Sequence, residues 1–193
     1  MKFMSNGNGN GNESVQFPYR QVYSGVLGNA VATPIVTLSA QNQSTGEWFN
    51  IELEFDTGAM ISLLPRSAAA VLGINLVKGY PITLMGVGGA LIRAYVHPVT
   101  IKFQRQQLEI YVAFATVEVP PLLGRFTVFN QIGEIELNNE SGVLVFEKIR
   151  MESLPKLPGW EWEIEPPQAN PALATISLMS PIAIALIIAA SVA

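Results

Sequence analysis

Hydrophobic and polar residues alternate with a period of two along much of this chain, the pattern of strands buried on one face. The clearest run is Ile51, Leu53 and Phe55 on one side against Glu52 and Glu54 on the other. Strands are predicted over 33–40 and 48–55, and the polar stretch QNQSTGE between them reads as a hairpin loop. A helix is predicted over 65–72: Pro65 suits the first turn, three alanines follow, and Gly73 marks the stop. Two more strands, 80–85 and 90–96, flank a glycine-rich tip. Strands at 99–103 and 108–115 pair around residues 104–107, and 126–132 reads as a short helix or turn. A last hairpin, 134–137 with 143–146, closes around NNESG. Many short strands with one or two short helices make a mostly β chain, folded as an antiparallel β-barrel.

The ends break this pattern and divide the chain into four parts. Residues 1–18 form an Asn/Gly-rich flexible arm, because SNGNGNGNES has nothing to bury. The folded domain is placed at 19–150. Residues 151–171 are a Pro-rich linker carrying Trp160 and Trp162. Residues 172–193, ALATISLMSPIAIALIIAASVA, contain no charge and match the roughly 20 apolar residues that cross a bilayer as a helix. This segment is expected to be a C-terminal membrane anchor. Lys148, Arg150 and Lys156 precede it and nothing basic follows, which favours a cytoplasmic domain. The alternative is a tail that packs on the domain or is removed.

Composition narrows the chemistry. Charged residues make up only 13% of the chain, with net charge −4 and no basic cluster, so no nucleic-acid partner is expected. The absence of Cys excludes disulfides, thiol catalysis and Cys-ligated metal. His97 is the single histidine and has no partners for a triad or a metal site; it is expected to be a half-exposed strand residue before Pro98. No metal and no cofactor are expected.

One acid stands out. Asp56 is the only aspartate in the chain, and it ends the alternating strand in Asp56-Thr57-Gly58-Ala59 before a second apolar run, Ile61-Ser62-Leu63-Leu64. Gly58 permits close backbone approach, and Thr57 offers a hydroxyl for a fixed hydrogen bond. Taken alone, Asp-Thr-Gly is also an ordinary turn tripeptide.

Three features in order resemble the retropepsin-like aspartic protease family, over about residues 31–146. The first is the turn Asp56, Thr57, Gly58, Ala59. The second is the hairpin tip Gly86, Val87, Gly88, Gly89, which resembles the family's flap. The third is Leu122-Leu123-Gly124, followed by Arg125, similar to the element that braces the active-site turn. The helix-like segment ending Leu72-Gly73-Ile74 resembles cellular, non-viral members. The resemblance implies a closed β-barrel and an aspartic endopeptidase that works as a homodimer, each chain supplying one Asp56 to a water-activating pair. It further implies that Thr57 bonds across the dimer, that Gly58 meets a peptide or protein substrate through its backbone, and that the flap closes over it. Apolar surroundings favour cleavage between hydrophobic residues. The chain departs from the viral pattern at Met60 and Ile61, where acids that pair with the following Arg are replaced, leaving Arg125 without that partner. The rival reading is a catalytically silent, dimeric peptide-binding or scaffold module tethered to a membrane.

Overall fold

A computed structural model describes residues 14–86, 89–103, 106–129 and 131–149, with short pieces at 154–155, 157 and 175–177. In chain order the strands are β1 (Val15–Pro18), β2 (Arg20–Ser24), β3 (Asn29–Thr33), β4 (Ile35–Gln41), β5 (Trp48–Phe55) and β6 (Ser62–Leu64). The helix α1 (Arg66–Val71) and a 3₁₀ turn (Leu76–Lys78) follow. Then come β7 (Tyr80–Met85), β8 (Leu91–Phe103), β9 (Gln106–Ala115), β10 (Leu122–Leu123), β11 (Ile132–Asn138), β12 (Val143–Ile149) and β13 (Thr175–Ser177).

Six strands close into a barrel in the order β8, β4, β5, β10, β6, β9, with β9 returning to β8. The expected barrel is therefore present, but its ladder is mixed. β10 runs parallel to β5, and β6 runs parallel to β9, while the other pairings are antiparallel. The reason lies in β10, a two-residue strand that enters late in the sequence and slots between β5 and β6. β7 extends the sheet beyond β8, and β13 lies parallel to β7. A separate sheet, β1-β12-β11, packs on the barrel, and β2 with β3 makes an independent hairpin.

Two hydrophobic clusters organise these layers. The first joins Val36, Leu38, Leu53, Phe55, Val99, Ile101, Ile110 and Phe114 of the barrel to Phe17, Leu144 and Phe146 of the three-stranded sheet. Phe146 meets Phe17 edge-on at 5.3 Å and Phe55 at 5.6 Å, within the favoured range for aromatic pairs. The second gathers Ala59, Ile61, Leu63, Ile82, Leu84, Ile92, Ala94, Tyr111, Ala113 and Leu122. β9 serves both: Ile110, Val112 and Phe114 face the first cluster, Tyr111, Ala113 and Ala115 the second. This two-sided burial explains why the end of β9 reads as an unbroken apolar run, and β6 as an apolar run interrupted only by Ser62, rather than as alternations.

Several boundaries differ from the sequence expectation. The folded part begins at β1, because Val15 and Phe17 pair with β12 and enter the core, so the arm is shorter than 1–18. Strands 90–96 and 99–103 are one strand, β8, which carries His97-Pro98 through its middle. Residues 126–129 form a turn, one of the two forms expected for 126–132, and Ile132 already belongs to β11. Thr127 there takes φ 64, and its hydroxyl accepts the Tyr111 N–H at 2.8 Å, which holds the strained residue in place. The helix expected after Pro65 is α1, and Gly73 beyond it has φ +65, as a helix stop requires.

His97 is buried, not half-exposed. Its Nε2 lies 3.0 Å from the Leu76 carbonyl, its ring meets Phe114 edge-on, and burial pushes its pKa below the usual histidine value. Among the described residues no helix is long and apolar enough to cross a membrane. Of the expected anchor only Thr175–Ser177 is described, as β13; the rest of 172–193 and nearly all of the linker lie outside the described residues.

Candidate functional site

The site is built where β5 ends. β5 alternates because Leu53 and Phe55 enter the first cluster, so Glu52, Glu54 and Asp56 share the opposite face. Asp56 follows the last strand residue and is 8% exposed. Its Oδ1 accepts the Gly58 N–H at 2.8 Å, and its carbonyl accepts the Ala59 N–H at 3.2 Å, which makes the turn tight. Its Oδ2 is buried with no hydrogen-bond partner among the described residues. A buried, unpaired carboxylate oxygen is costly, and native folds retain such a group mainly where chemistry or a partner uses it. Thr57 is exposed, Gly58 half-buried and Ala59 fully buried in the second cluster.

The turn is held from beneath by residues 121–126. Leu122 and Leu123 pair with Glu54 and Phe55 on one side, and Leu122 with Leu63 on the other. The Glu54 N–H donates to the Pro121 carbonyl at 3.0 Å and the Asp56 N–H to the Leu123 carbonyl at 3.1 Å. In the other direction, Arg125 N–H reaches the Ala59 carbonyl at 3.0 Å and Phe126 N–H the Met60 carbonyl at 2.6 Å. Gly124 N–H donates to the buried Ser62 hydroxyl at 3.1 Å. At Gly124 a Cβ would lie 2.5 Å from the Ile61 carbonyl oxygen and 2.8 Å from Ser62 N, so only glycine fits between the two backbones. The bracing role expected for Leu122, Leu123 and Gly124 thus has a specific geometry: backbone bonds at both ends of the turn. The Arg125 side chain is exposed and enters no ion pair given by the described residues.

The hairpin of β7 and β8 stands over the same region. Ile82, Leu84, Ile92 and Ala94 pack in one cluster with Ala59 and Ile61 of the turn. At its tip Gly86 N–H donates to the Ala90 carbonyl at 2.9 Å, Gly89 N–H donates to the Gly86 carbonyl at 3.1 Å, and Gly89 has φ +83. Val87 and Gly88, also expected to belong to the flap, lie outside the described residues. The structure therefore brings together the turn, the brace and the base of the hairpin. Among the described residues no group of three or more His, Asp or Glu is placed to hold a metal ion.

Three contributors escaped the sequence reading. Ser62 was legible as one polar residue in the apolar run ISLL, a sign of a buried hydroxyl with a partner. The backbone of Phe126 carries no sequence signal. Glu54 fell on the polar face by alternation, yet it is half-buried beside Asp56. Desolvation pushes its carboxyl above the usual glutamate range, and the Asp56 charge pushes in the same direction.

Residues 46–125, from the loop before β5 to the end of the brace, match the family described as aspartyl protease. A retropepsin-like aspartic protease from Rickettsia conorii has a similar structure, with 13% identity and a TM-score of 0.46 over 76% of this chain and 97% of that one. The EIAV protease bound to an inhibitor is also similar, with 22% identity and a TM-score of 0.41 over 55% of this chain and 93% of that one. No curated protein matches the chain.

Proposed function

We propose that this chain is an aspartic endopeptidase of the retropepsin-like type, with Asp56 as its catalytic residue, a reading supported by the match of residues 46–125 to the aspartyl protease family. The observation that carries this reading is the state of the Asp56 carboxyl: buried, one oxygen held by Gly58 and the other without a partner among the described residues. One carboxyl cannot act as base and acid at once. The only aspartate in the chain must therefore meet a second copy of itself across a homodimer. Two carboxyls at that range cannot both ionise, so they hold one proton between them. The charged one takes a proton from the attacking water as a C–O bond forms at the peptide carbonyl. The protonated one gives its proton to the carbonyl oxygen, and collapse of the tetrahedral intermediate returns a proton to the leaving amine.

The remaining residues take supporting roles in this proposal. Thr57, exposed at the turn, bonds across the dimer. Gly58 and the hairpin tip, Gly86 to Gly89, receive the peptide through their backbones as an added strand. Met60, exposed beside the turn, favours hydrophobic side chains at the cut. The C-terminal segment 172–193 tethers the domain to a membrane, on the cytoplasmic side, in a state in which Thr175–Ser177 have left their pairing with β7.

The test is cleavage of a mixed peptide library by the purified domain, with sedimentation of the same sample. A dimer that cuts between hydrophobic residues is expected, with Asp56→Asn lowering the rate by about 10³-fold or more while the dimer persists. A folded dimer that cuts nothing would replace the reading with a binding module. Wild-type rates from Asp56→Asn would remove Asp56 from the mechanism. For the anchor, cells expressing the full chain or a chain ending at Glu165 are fractionated; equal solubility of the two would count against a span.

A further inference from the structure

The three acids on the outer face of β5 are not equivalent. Glu52 has its own cation: Arg20 Nη1 lies 2.6 Å from its Oε1, and Nη2 of the same guanidinium donates to Thr37. Asp56 is tied to its turn by the Gly58 N–H. Glu54 stands between them, half-buried, and the ion pairs of the described residues do not include it. Its cross-strand neighbours are Ile35 on β4 and Leu122 on β10, which bring no charge to its level. Among the described residues the charged groups along its face are thus Asp56 ahead and the Arg20–Glu52 pair behind.

A partly desolvated carboxylate beside a like charge is unfavourable until a cation arrives. The described residues give Glu54 no such cation, whereas they give Glu52 one two residues away. Glu54 also shares the face on which Asp56 presents its free oxygen. We propose that Glu54 is a specificity-determining residue, and that it receives the Lys or Arg side chain of a peptide bound across Asp56. This rests on the protease reading and adds a basic position to its apolar preference. A strand advances about 3.3 Å per residue, so Glu54 and Asp56 are separated by roughly 7 Å, two residues of an extended peptide. The basic residue therefore falls within two positions of the cut. In a two-fold dimer the partner's Glu54 serves the same position on the other side.

The experiment uses the dimer and a peptide series carrying Lys, norleucine or Glu in turn at each of the four positions nearest the cut, the others apolar. Norleucine keeps the length of Lys without its charge. At one position, or a symmetric pair, kcat/KM near neutral pH is expected to favour Lys over norleucine by about tenfold, the scale of one charge-assisted hydrogen bond. Glu54→Gln should bring that ratio to about one, and Glu54→Lys should turn the preference toward Glu. In the wild type the ratio should shrink as pH falls and Glu54 takes up its proton. The same series is read as Kd on Asp56→Asn, alone and with Glu54→Gln, so the result does not depend on turnover. A wild type that cuts no peptide defeats the protease reading, while the Kd ratio still decides the role of Glu54. A Lys preference that survives Glu54→Gln, or no Lys preference in either readout, overturns the proposal. So does a Glu54→Gln chain that no longer forms the dimer, because the cation that Glu54 takes would then belong to the second copy.

Discussion

The two hydrophobic clusters share strands yet are made of different side chains. The first contains Phe17, Phe55, Phe114 and Phe146 among branched aliphatics, and it fastens the three-stranded sheet to the barrel. The second sets Ala59, Ala94, Ala113 and Ala115 among aliphatics such as Ile61, Leu63 and Leu84, with Tyr111 as its buried ring, and it lies under the turn and the β7–β8 hairpin. Aromatic rings bury large areas and dominate stability. Alanines contribute little area but let backbones approach closely. The first cluster is therefore a source of stability and the second a source of position. The brace belongs to the second kind: glycine at 124 replaces bulk altogether where two backbones touch.

This contrast is open to direct attack. The largest stability effect is expected from Phe146→Ala, which deletes a fully buried ring at the junction of two sheets. It should cost about 3–5 kcal/mol in a urea titration. The molecules that remain folded should keep their kcat/KM, since the Phe146 ring packs on Phe17 and Phe55 at the junction of the sheets. Gly124→Ala should show the reverse balance. The added methyl meets the Ile61 carbonyl oxygen and Ser62 N, and overpacking of this kind costs about 1–3 kcal/mol. The displaced turn, however, should lose on the order of 10²-fold in kcat/KM, as small misplacements of reacting groups do. An unchanged rate in Gly124→Ala would mean that the brace only stabilises. A reduced rate in folded Phe146→Ala would mean that the clusters do not divide the work.

The sequence disclosed those parts of this arrangement that depend on local pattern. β5 was read to its ends, Trp48–Phe55, because its alternation is clean and its neighbours are turn residues. α1 was read because Pro65 and Gly73 punctuate it. The turn and the brace were legible as short motifs in a fixed order. Hidden were the elements whose partners are remote. β1 looks like the end of a polar arm until Phe17 finds Phe146. β2 and β3 are mostly exposed and so carry no buried stripe to betray them. β8 seemed broken at Pro98, but there it pairs with Tyr111 and the strand continues. Glu54 was placed on the correct face, whereas its burial and its closeness to the Asp56 charge follow from β10 lying beside it, which alternation cannot reveal.

The distance along the chain between Ser62 and Gly124, 62 residues, carries one more consequence. A ribosome delivers Asp56 and its turn well before the segment that bonds to them from below. Contacts so far apart in sequence form slowly, because a long loop must close before they repay its entropy. During synthesis Asp56 therefore exists without its brace. The backbone bonds beneath the turn form only when the last third of the domain has emerged and folded back between β5 and β6. The order of the chain thus sets when the turn is fixed: late, when most of the domain is already made.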